Sequence, residues 1–437
     1  MIWDARKVVL AAAAVVAVGA LTDICAFAQA PGSPGQPGTR QSRPDPRSPS
    51  AQAAENYDPT GVPLGSFRLY PELELGEVYN DNIYATSTGR TGSFIQLVKP
   101  SVDLRSDWNN HSLNFFAKGG LGFYSANSTE NFQDFSLGTD GRLDIQRDWN
   151  TYGGLSFNRR HEERGTPNAV NGGTEPTKYN QAIGNLGYYQ KFNNLAMRLD
   201  GRIDNYSFYN NGLGLAQGVL PNTDRNRTEF REAIRLGYEF SPGYEAWMRG
   251  SLNQRRYNSG VDSAGFARNS AGWDVVGGVS IDLGGITSVE VFAGYMLQNY
   301  DDSRFFPVQG LMFGATGYWN PLRELWVKPF VKRSIEETSS TTFSGYINTA
   351  FGLDVDYHIQ PNLRLNAHAD YAIADYQNNV GAASRNDQYA TLRTSLMYLF
   401  TPNFYIGPQY TYIQRTSSTP NTDYGNNIIM IKLGTRI

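Results

Sequence analysis

Cysteine is almost missing from this sequence. The single cysteine among 437 residues is Cys25, which lies in the first thirty residues. Those residues have a short basic start, an apolar run from Val8 to Leu21, and small residues that suit cleavage after Ala28 or Ala30, the pattern of a secretory signal peptide. We therefore predict that residues 1–30 are a signal peptide, and that the mature chain has no disulfide, no cysteine-based metal site and no cysteine nucleophile.

Charged residues and long apolar runs are also scarce. Charged residues make up 18% of the sequence and the net charge is -3, so nothing predicts the basic surface that a nucleic acid partner requires. After Leu21 no apolar run approaches the roughly 20 residues that a membrane-spanning helix needs. The mean hydropathy of -0.45 is also too polar for a bundle of such helices.

Proline is concentrated in one stretch, residues 31–64, together with glycine, serine and glutamine. Such a composition cannot bury enough apolar surface to offset the entropy lost on ordering, so we predict a disordered, proline-rich periplasmic segment. One alternative is a periplasmic tether that contacts a partner or the peptidoglycan through Arg40, Arg43 and Arg47. The composition favours a passive linker.

From residue 65 to residue 437, short apolar segments alternate with polar residues at every second position. In residues 347–359 the odd-numbered positions are mostly apolar, and the even-numbered ones include Asn348, Asp354, Asp356 and His358. Because side chains alternate between the two faces of a strand, this segment predicts a strand with one apolar and one polar face. About 18 segments of this kind occur, each near 10 residues, the length with which a tilted strand crosses a bilayer.

The connections between these segments alternate between short and long. The short ones include Asn109-Asn110, Asn193-Asn194, Pro242-Gly243, Gly284-Gly285 and Pro402-Asn403. The long ones centre near residues 86, 128, 170, 216, 263, 303, 339, 381 and 419. We predict an all-β fold over residues 65–437: a transmembrane antiparallel β-barrel of about 18 strands (16–18) in the cell outer membrane, with short periplasmic turns and long extracellular loops. A soluble β-sandwich, the alternative, shows no such regular asymmetry of its turns.

Aromatic residues gather beside the short turns, as in the girdle of a barrel at its periplasmic interface. These residues are Trp108, Trp149, Phe192, Phe240, Tyr244, Trp319, Phe400 and Phe404.

The segment Glu77-Val78-Tyr79-Asn80-Asp81-Asn82-Ile83-Tyr84 follows the first predicted strand. It resembles the opening motif of the β-barrel porin family (type 2) of Proteobacteria, and the resemblance extends through the strand rhythm over about residues 66–437. The resemblance implies an outer-membrane, porin-like barrel. It also implies an association with exopolysaccharide export, with polysaccharide and periplasmic export components as partners beside the membrane lipid. It assigns no catalytic role to any residue.

A barrel of about 18 strands encloses an aqueous lumen, because its diameter grows with strand number. The candidate lumen-lining residues are Arg198, Asp200, Arg202, Asp204, Arg231, Arg235, Arg249, Phe116, Trp247 and Phe292. The charged ones follow neighbouring strands, so they either brace the wall through ion pairs across strands or select charged solutes. The mixed signs favour bracing, because a selective pore more often presents one sign.

The aromatic residues on the predicted lumen face, which also include Phe330 and Tyr346, either stack against sugars or pack against an inward loop. The longest loop, residues 206–228, is a candidate constriction, with an extracellular cap as the alternative.

Enzymatic function finds little support. His368 and Asp370 share a lumen face as two members of a triad could, but neither a Gly-x-Ser-x-Gly nor a His-Glu-x-x-His motif occurs. We expect no catalytic residue, no metal ion and no cofactor. The sequence predicts passage of a hydrophilic solute across the outer membrane, with export of a polysaccharide implied by the resemblance. The alternative is a non-conducting structural or surface barrel with a plugged lumen.

Overall fold

The structure, a computed structural model, describes residues 57–170, 172–212, 218–283, 286–378, 381 and 383–437. The predicted signal peptide and most of the predicted disordered segment lie outside these residues, as does the predicted turn at residues 284–285, and all three stay predictions. Within the described residues, no helix has the length and apolar character needed to cross a membrane.

The described residues form β-strands joined by turns and loops. The strands are β1 (Val62–Leu64), β2 (Phe67–Asn80), β3 (Ser93–Ser106), β4 (Ser112–Tyr124), β5 (Phe132–Gln146), β6 (Trp149–His161), β7 (Lys178–Phe192), β8 (Leu195–Phe208), β9 (Asn211–Gly212), β10 (Val219–Leu220), β11 (Arg227–Ser241), β12 (Tyr244–Tyr257), β13 (Ser270–Asp282), β14 (Thr287–Tyr300), β15 (Val308–Leu322), β16 (Leu325–Glu336), β17 (Gly345–Gln360), β18 (Leu363–Gln377), β19 (Asn386–Thr401), β20 (Phe404–Ser417) and β21 (Tyr424–Arg436). Short 3-10 turns occupy Ser128–Glu130 and Thr223–Arg225.

The long strands close into one antiparallel barrel. Each pairs with its neighbours in the chain, β8 pairs with β11, and the first and last long strands pair from Glu72↔Arg436 to Asn80↔Ile428. The sheet has 19 strands, of which β1 is a short addition, so 18 form the ring. The predicted barrel and its strand number are therefore confirmed. Strands β9 and β10 form a separate small hairpin in the loop between β8 and β11.

Residues 57–64, which we placed in the predicted disordered segment 31–64, belong to the described part of the chain and include a strand. Strand β1 pairs with the base of β2, from Val62↔Leu69 to Leu64↔Phe67. Strand β21 pairs with β2 only down to Glu72, so β1 occupies the edge of β2 that would otherwise be free. An ion pair between Asp58 and Arg364, with an Oδ1 to Nη2 distance of 2.9 Å, fixes the same segment to the periplasmic rim.

The two faces of the barrel wall differ as the alternation predicts. The outer face is apolar, and Leu155 at its middle is 64% exposed. Six of the eight predicted girdle residues are at least 40% exposed on the same face: Trp108, Phe192, Phe240, Trp319, Phe400 and Phe404. The inner face holds buried charged residues such as Glu74, Asp204 and Arg249. Charged groups are costly in lipid, so this division fits a barrel with lipid outside and a polar interior.

Candidate channel lumen

The loop between β6 and β7, described at residues 162–170 and 172–177, crosses the lumen. The guanidinium of Arg164 donates to both carboxylate oxygens of Glu130, at 3.0 and 2.7 Å. The hydroxyl of Tyr424 on β21 donates to the carbonyl of Gly165 at 3.3 Å, and that of Tyr376 on β18 donates to the carbonyl of Pro167 at 3.3 Å. In the ring of strands β18 stands opposite β6 and β7. We call residues 162–177 the strut loop, because they span the barrel.

The strut loop is not the loop that we predicted as the constriction. In residues 206–228, the longest loop by sequence, Arg225 pairs with the buried Glu162 and the Asn211 amide donates to the carbonyl of Glu175 at 3.0 Å. This loop therefore braces the base of the strut loop rather than crossing the lumen with the residues described. Residues 213–217 of this loop lie outside the described residues, so the predicted constriction stays a prediction.

A second inward element lies where β15 meets β16. Their pairing runs from Leu322↔Leu325 to Gly314↔Lys332 and stops there, although both strands continue toward the extracellular side. Ile347 belongs to the outer face of β17, yet it is buried in a cluster with Met296 and Val308 of the inner face of β14 and β15. The extracellular ends of β16 and β17 therefore lie against the inner face of β14 and β15. We call these two strand ends, together with loop 337–344, the tucked hairpin.

Side chains from two other elements, β12 and the loop that precedes β13, hold the tucked hairpin. Arg255 on β12 donates to the carbonyl of Ile335 at 3.2 Å and forms an ion pair with the buried Glu337. The Tyr257 hydroxyl donates to the same carboxylate at 2.6 Å. Arg268, which precedes β13, donates to the carbonyl of Ser340 at 3.2 Å. Together the hairpin and the strut loop lie inside the extracellular part of the lumen.

The predicted charged residues on β8 and β11 lie on the inner face, but they do not pair as we expected. The register sets like charges directly opposite one another: Arg202↔Arg231, Arg198↔Arg235 and Asp204↔Glu229. The ion pairs form within β8 instead, between Arg198 and Asp200 at 2.8 Å and between Arg202 and Asp204 at 2.6 Å. Residues two apart share a face of a strand, so a long guanidinium side chain reaches the carboxylate beside it. The prediction of bracing across β8 and β11 is therefore wrong.

Arg235 and Arg249 do brace neighbouring strands. Arg235 pairs with Glu245 on β12 and with Glu290 on β14, both at 2.9 Å, and Arg249 pairs with Asp274 on β13 at 2.9 Å. The Arg235 guanidinium carbon lies 4.0 Å from the ring centroid of Trp247. Because the network spans several strands, it stiffens this wall of the barrel.

The aromatic residues predicted to line the lumen divide into two groups. The ring centroids of Trp247 and Phe292 are 5.8 Å apart, and the two side chains are only 4% and 5% exposed. They therefore pack within the wall and offer no surface to a solute. Phe116 is half-buried, with the ammonium group of Lys118 5.7 Å from its ring centroid. Phe330 is also half-buried and covers Gly352, where a Cβ atom would lie 2.7 Å from its ring.

His368 lies on the inner face of β18, between two carboxylates. Its Nδ1 is 2.6 Å from Asp354 and its Nε2 is 2.8 Å from Asp370. Both ring nitrogens are therefore engaged by carboxylates, and neither is free to accept a proton from a nucleophile. This geometry gives the catalytic reading of His368 and Asp370 no support, since a triad needs one nitrogen facing the nucleophile.

The motif that carries the family resemblance lies where the first and last barrel strands meet. The Asp81 carboxylate accepts hydrogen bonds from the backbone and side-chain nitrogens of Asn427, both at 2.7 Å. Asn82 is fully buried, and its amide donates to the carbonyls of Thr86 and Gly425 at 2.9 and 3.1 Å. The motif thus fastens the closing seam between β2 and β21, a role that the sequence alone did not reveal.

Two extracellular loops, residues 258–269 and 301–307, are clasped together by Asp302. Its carboxylate accepts hydrogen bonds from the Arg304 side chain and from the backbone nitrogens of Ala267 and Arg304, at 2.9 and 3.0 Å. The Arg304 hydrogen bond, followed by these backbone donors, holds the pKa of Asp302 well below its usual range. The carboxylate therefore stays charged, and the clasp intact, under ordinary conditions.

Comparison with known proteins places this barrel in a family. The sequence profile of a family described as "Putative beta-barrel porin 2" matches residues 55–437. A comparison with curated proteins found no match. Among solved structures the fold is similar to "Copper transporter OprC" (10% identity, TM-score 0.46, 86% of this chain and 81% of that chain). It is also similar to OpdL (13%, 0.43, 86% and 100%) and to OpdK with vanillate (10%, 0.45, 84% and 99%), both of Pseudomonas aeruginosa. These likenesses carry no argument about a solute. The profile spans the whole barrel, so this chain belongs to the family described as "Putative beta-barrel porin 2" and is an outer-membrane protein.

Proposed function

We propose that this barrel is a channel that passes a hydrophilic solute through the outer membrane, and that the solute is a secreted polysaccharide. The observation that carries the proposal is a difference between the two ends of β16 and β18. Inward side chains at their extracellular ends, Glu336, Ala374 and Tyr376, are buried. Those nearer the periplasm, such as Trp326 and Asn366, keep part of their surface exposed.

This asymmetry supports passage from the periplasm outward. The polar inner face near the periplasm would admit a hydrated chain from that side, where a delivering export component would stand. Tyr318 and Trp326 present stacked rings there, with centroids 5.9 Å apart and planes at 24°. Aromatic rings suit the partly apolar faces of sugars. The strut loop and the tucked hairpin then narrow the exit, so passage of a polymer requires one of them to move.

The same two elements favour the second candidate, a plugged structural barrel. Buried ion pairs, such as that between Arg164 and Glu130, fix the strut loop at several points. A barrel closed in this way would serve as a surface scaffold without transport. The two candidates differ in whether a conducting path exists.

Single-channel conductance of the refolded mature protein in planar bilayers tests the proposal. We expect discrete conductance steps and their blockade by polysaccharide added on the periplasmic side. Steps without blockade from either side would keep the channel and contradict the polysaccharide. The absence of steps from a β-rich, heat-modifiable, inserted protein would overturn the channel and leave the structural barrel.

A further inference from the structure

Four inward side chains form one row across four neighbouring strands in the periplasmic part of the lumen. Lys328 on β16 stands directly opposite Asp354 on β17, Asp354 opposite His368 on β18, and His368 opposite Arg393 on β19. We call these four residues the cation row. Neighbouring strands lie about 4.8 Å apart, so the row extends over about 14 Å of the wall.

His368 decides which charges of this row are neutralised. Lys328 would be expected to pair with Asp354, because opposite charges directly across strands attract. Instead the Asp354 carboxylate turns to His368, which also engages Asp370 with its other ring nitrogen. Hydrogen bonds from both ring nitrogens to carboxylates make His368 an imidazolium.

The consequence is a pair of uncompensated cations. Within the described part of the chain neither Lys328 nor Arg393 forms an ion pair, and the Nε of Arg393 has no hydrogen-bond partner. Both side chains are half-buried on the inner face, so they remain accessible from the lumen. The arginines of the opposite wall differ, since Arg198 and Arg202 each hold a carboxylate.

Aromatic rings stand at the Lys328 end of the row. The Lys328 ammonium group lies 5.5 Å from the ring centroid of Tyr318, which stacks on Trp326. Phe330 follows on the same face of β16. These rings keep part of their surface exposed, unlike Trp247 and Phe292. This part of the wall thus combines aromatic rings, on which sugar rings can stack, with the unpaired cations of Lys328 and Arg393, which can bind carboxylates.

We propose that the cation row is a binding site for an acidic glycan, whose sugar carboxylates contact Lys328 and Arg393 while a ring stacks on Trp326. This inference rests on the proposed function and names the substrate class: a polymer that contains uronic acids. Charge-assisted hydrogen bonds to carboxylate are stronger than neutral ones, so these two contacts dominate the selectivity for acidic over neutral chains.

Isothermal titration of the detergent-solubilised mature protein tests the site without any need for conductance. The probes are oligogalacturonate, maltodextrin of the same length, and galacturonate monomer. We expect oligogalacturonate to bind most tightly, and the double variant Lys328→Gln/Arg393→Gln to weaken it about tenfold or more, since it removes both charge-assisted hydrogen bonds to the sugar carboxylates. Arg142→Gln is the matched control, because Arg142 already pairs with Asp144 at 2.8 Å and stands on the opposite wall.

A rescue experiment tests the role given to His368. His368→Gln releases Asp354 and Asp370 to neutralise the two cations, so we expect weaker oligogalacturonate binding. The triple variant His368→Gln/Asp354→Asn/Asp370→Asn is expected to restore binding, and heat-modifiable gel mobility verifies that each variant is folded.

The outcomes separate this site from the channel itself. Undiminished binding by the folded Lys328→Gln/Arg393→Gln variant, or equal weakening by Arg142→Gln, would overturn the site. Binding to galacturonate monomer as tight as to the oligomer would assign the row to small organic acids and contradict the glycan. Selective binding to a protein that never conducts would support the row while overturning the proposed channel.

Discussion

The guanidinium of Arg255 on β12 donates a hydrogen bond of 3.2 Å to the backbone carbonyl of Ile335 on β16. Strands β13, β14 and β15 separate these two residues in the sheet, so the bond crosses the lumen instead of following the wall. The carbonyl belongs to the part of β16 beyond its last pairing with β15. The end of β16 therefore does not pair with β15 and instead forms a hydrogen bond with Arg255 inside the barrel.

Cysteine cross-linking tests the tucked hairpin. If the register of β15 and β16 continued, Met312 would face Ser334, whereas Thr316 does face Phe330. We expect Thr316→Cys/Phe330→Cys to form a disulfide readily and Met312→Cys/Ser334→Cys to form none, because opposed Cβ atoms in a paired sheet are about 5 Å apart. Gel mobility with and without reductant measures both pairs. Efficient cross-linking of the second pair would mean that the hairpin lies in the wall.

The strut loop should depend on Arg164. Arg164→Gln leaves the Glu130 carboxylate, which is 2% exposed, without its bidentate partner. Breaking a buried ion pair in this way typically costs about 3–5 kcal/mol, so we expect the loop to leave the lumen and the single-channel conductance to rise. Tyr424→Phe is the milder comparison, because it removes one hydrogen bond worth about 1 kcal/mol. Unchanged conductance in a folded Arg164→Gln variant would show that the loop does not limit the path.

The closing seam should depend on Asn82. Asn82→Ala leaves the carbonyls of Thr86 and Gly425 without their side-chain donor, at about 1–3 kcal/mol for each buried group. We expect a lower temperature for conversion of the folded to the unfolded gel band. Asn205→Ala serves as the control, because its hydrogen bond to Thr228 is exposed on the outer face. Equal shifts in the two variants would contradict a special role for the motif.

The assignment of the two faces can be tested with a charge. Leu155 lies on the outer face at the middle of β6, and Ser156 follows it on the inner face. Leu155→Arg should destabilise the inserted barrel by about 2–4 kcal/mol, the cost of arginine at the bilayer midplane, while Ser156→Arg should cost far less. Chemical unfolding in lipid vesicles measures both, and the reverse order would refute the outward placement of Leu155.

The clasp of Asp302 has a defined pH dependence. Its pKa is lowered in the folded protein, so its stabilising contribution is present above the usual aspartate range, near pH 4, and is lost as the pH falls through the lowered value. We expect the protection of the Ala267 amide against hydrogen exchange to persist to about pH 4 and to decline below it. Asp302→Asn should lose this protection already at neutral pH. Protection that disappears well above pH 4 would contradict the clasp.

The alternation of apolar and polar residues was sufficient to predict the barrel. Lipid on the outside requires an apolar residue at every second position of each strand, and a closed antiparallel sheet requires a turn or loop after each strand. Both features can therefore be recognised in the sequence. The seam motif was visible too, but its function depends on Gly425 and Asn427 at the far end of the chain.

The contacts inside the barrel could not be predicted from the sequence. Water inside a barrel can form hydrogen bonds with a polar side chain at any inward position. The sequence of the inner face therefore does not indicate which side chains contact one another. Tyr376 holds Pro167 across 209 residues of sequence, and His368 takes the carboxylate that stands opposite Lys328. Contacts between segments that are far apart in the sequence hold the strut loop and the tucked hairpin inside the barrel. Such a contact, between His368 and Asp354, also leaves Lys328 without an ion pair among the described residues. These contacts form only once the ring of strands has closed.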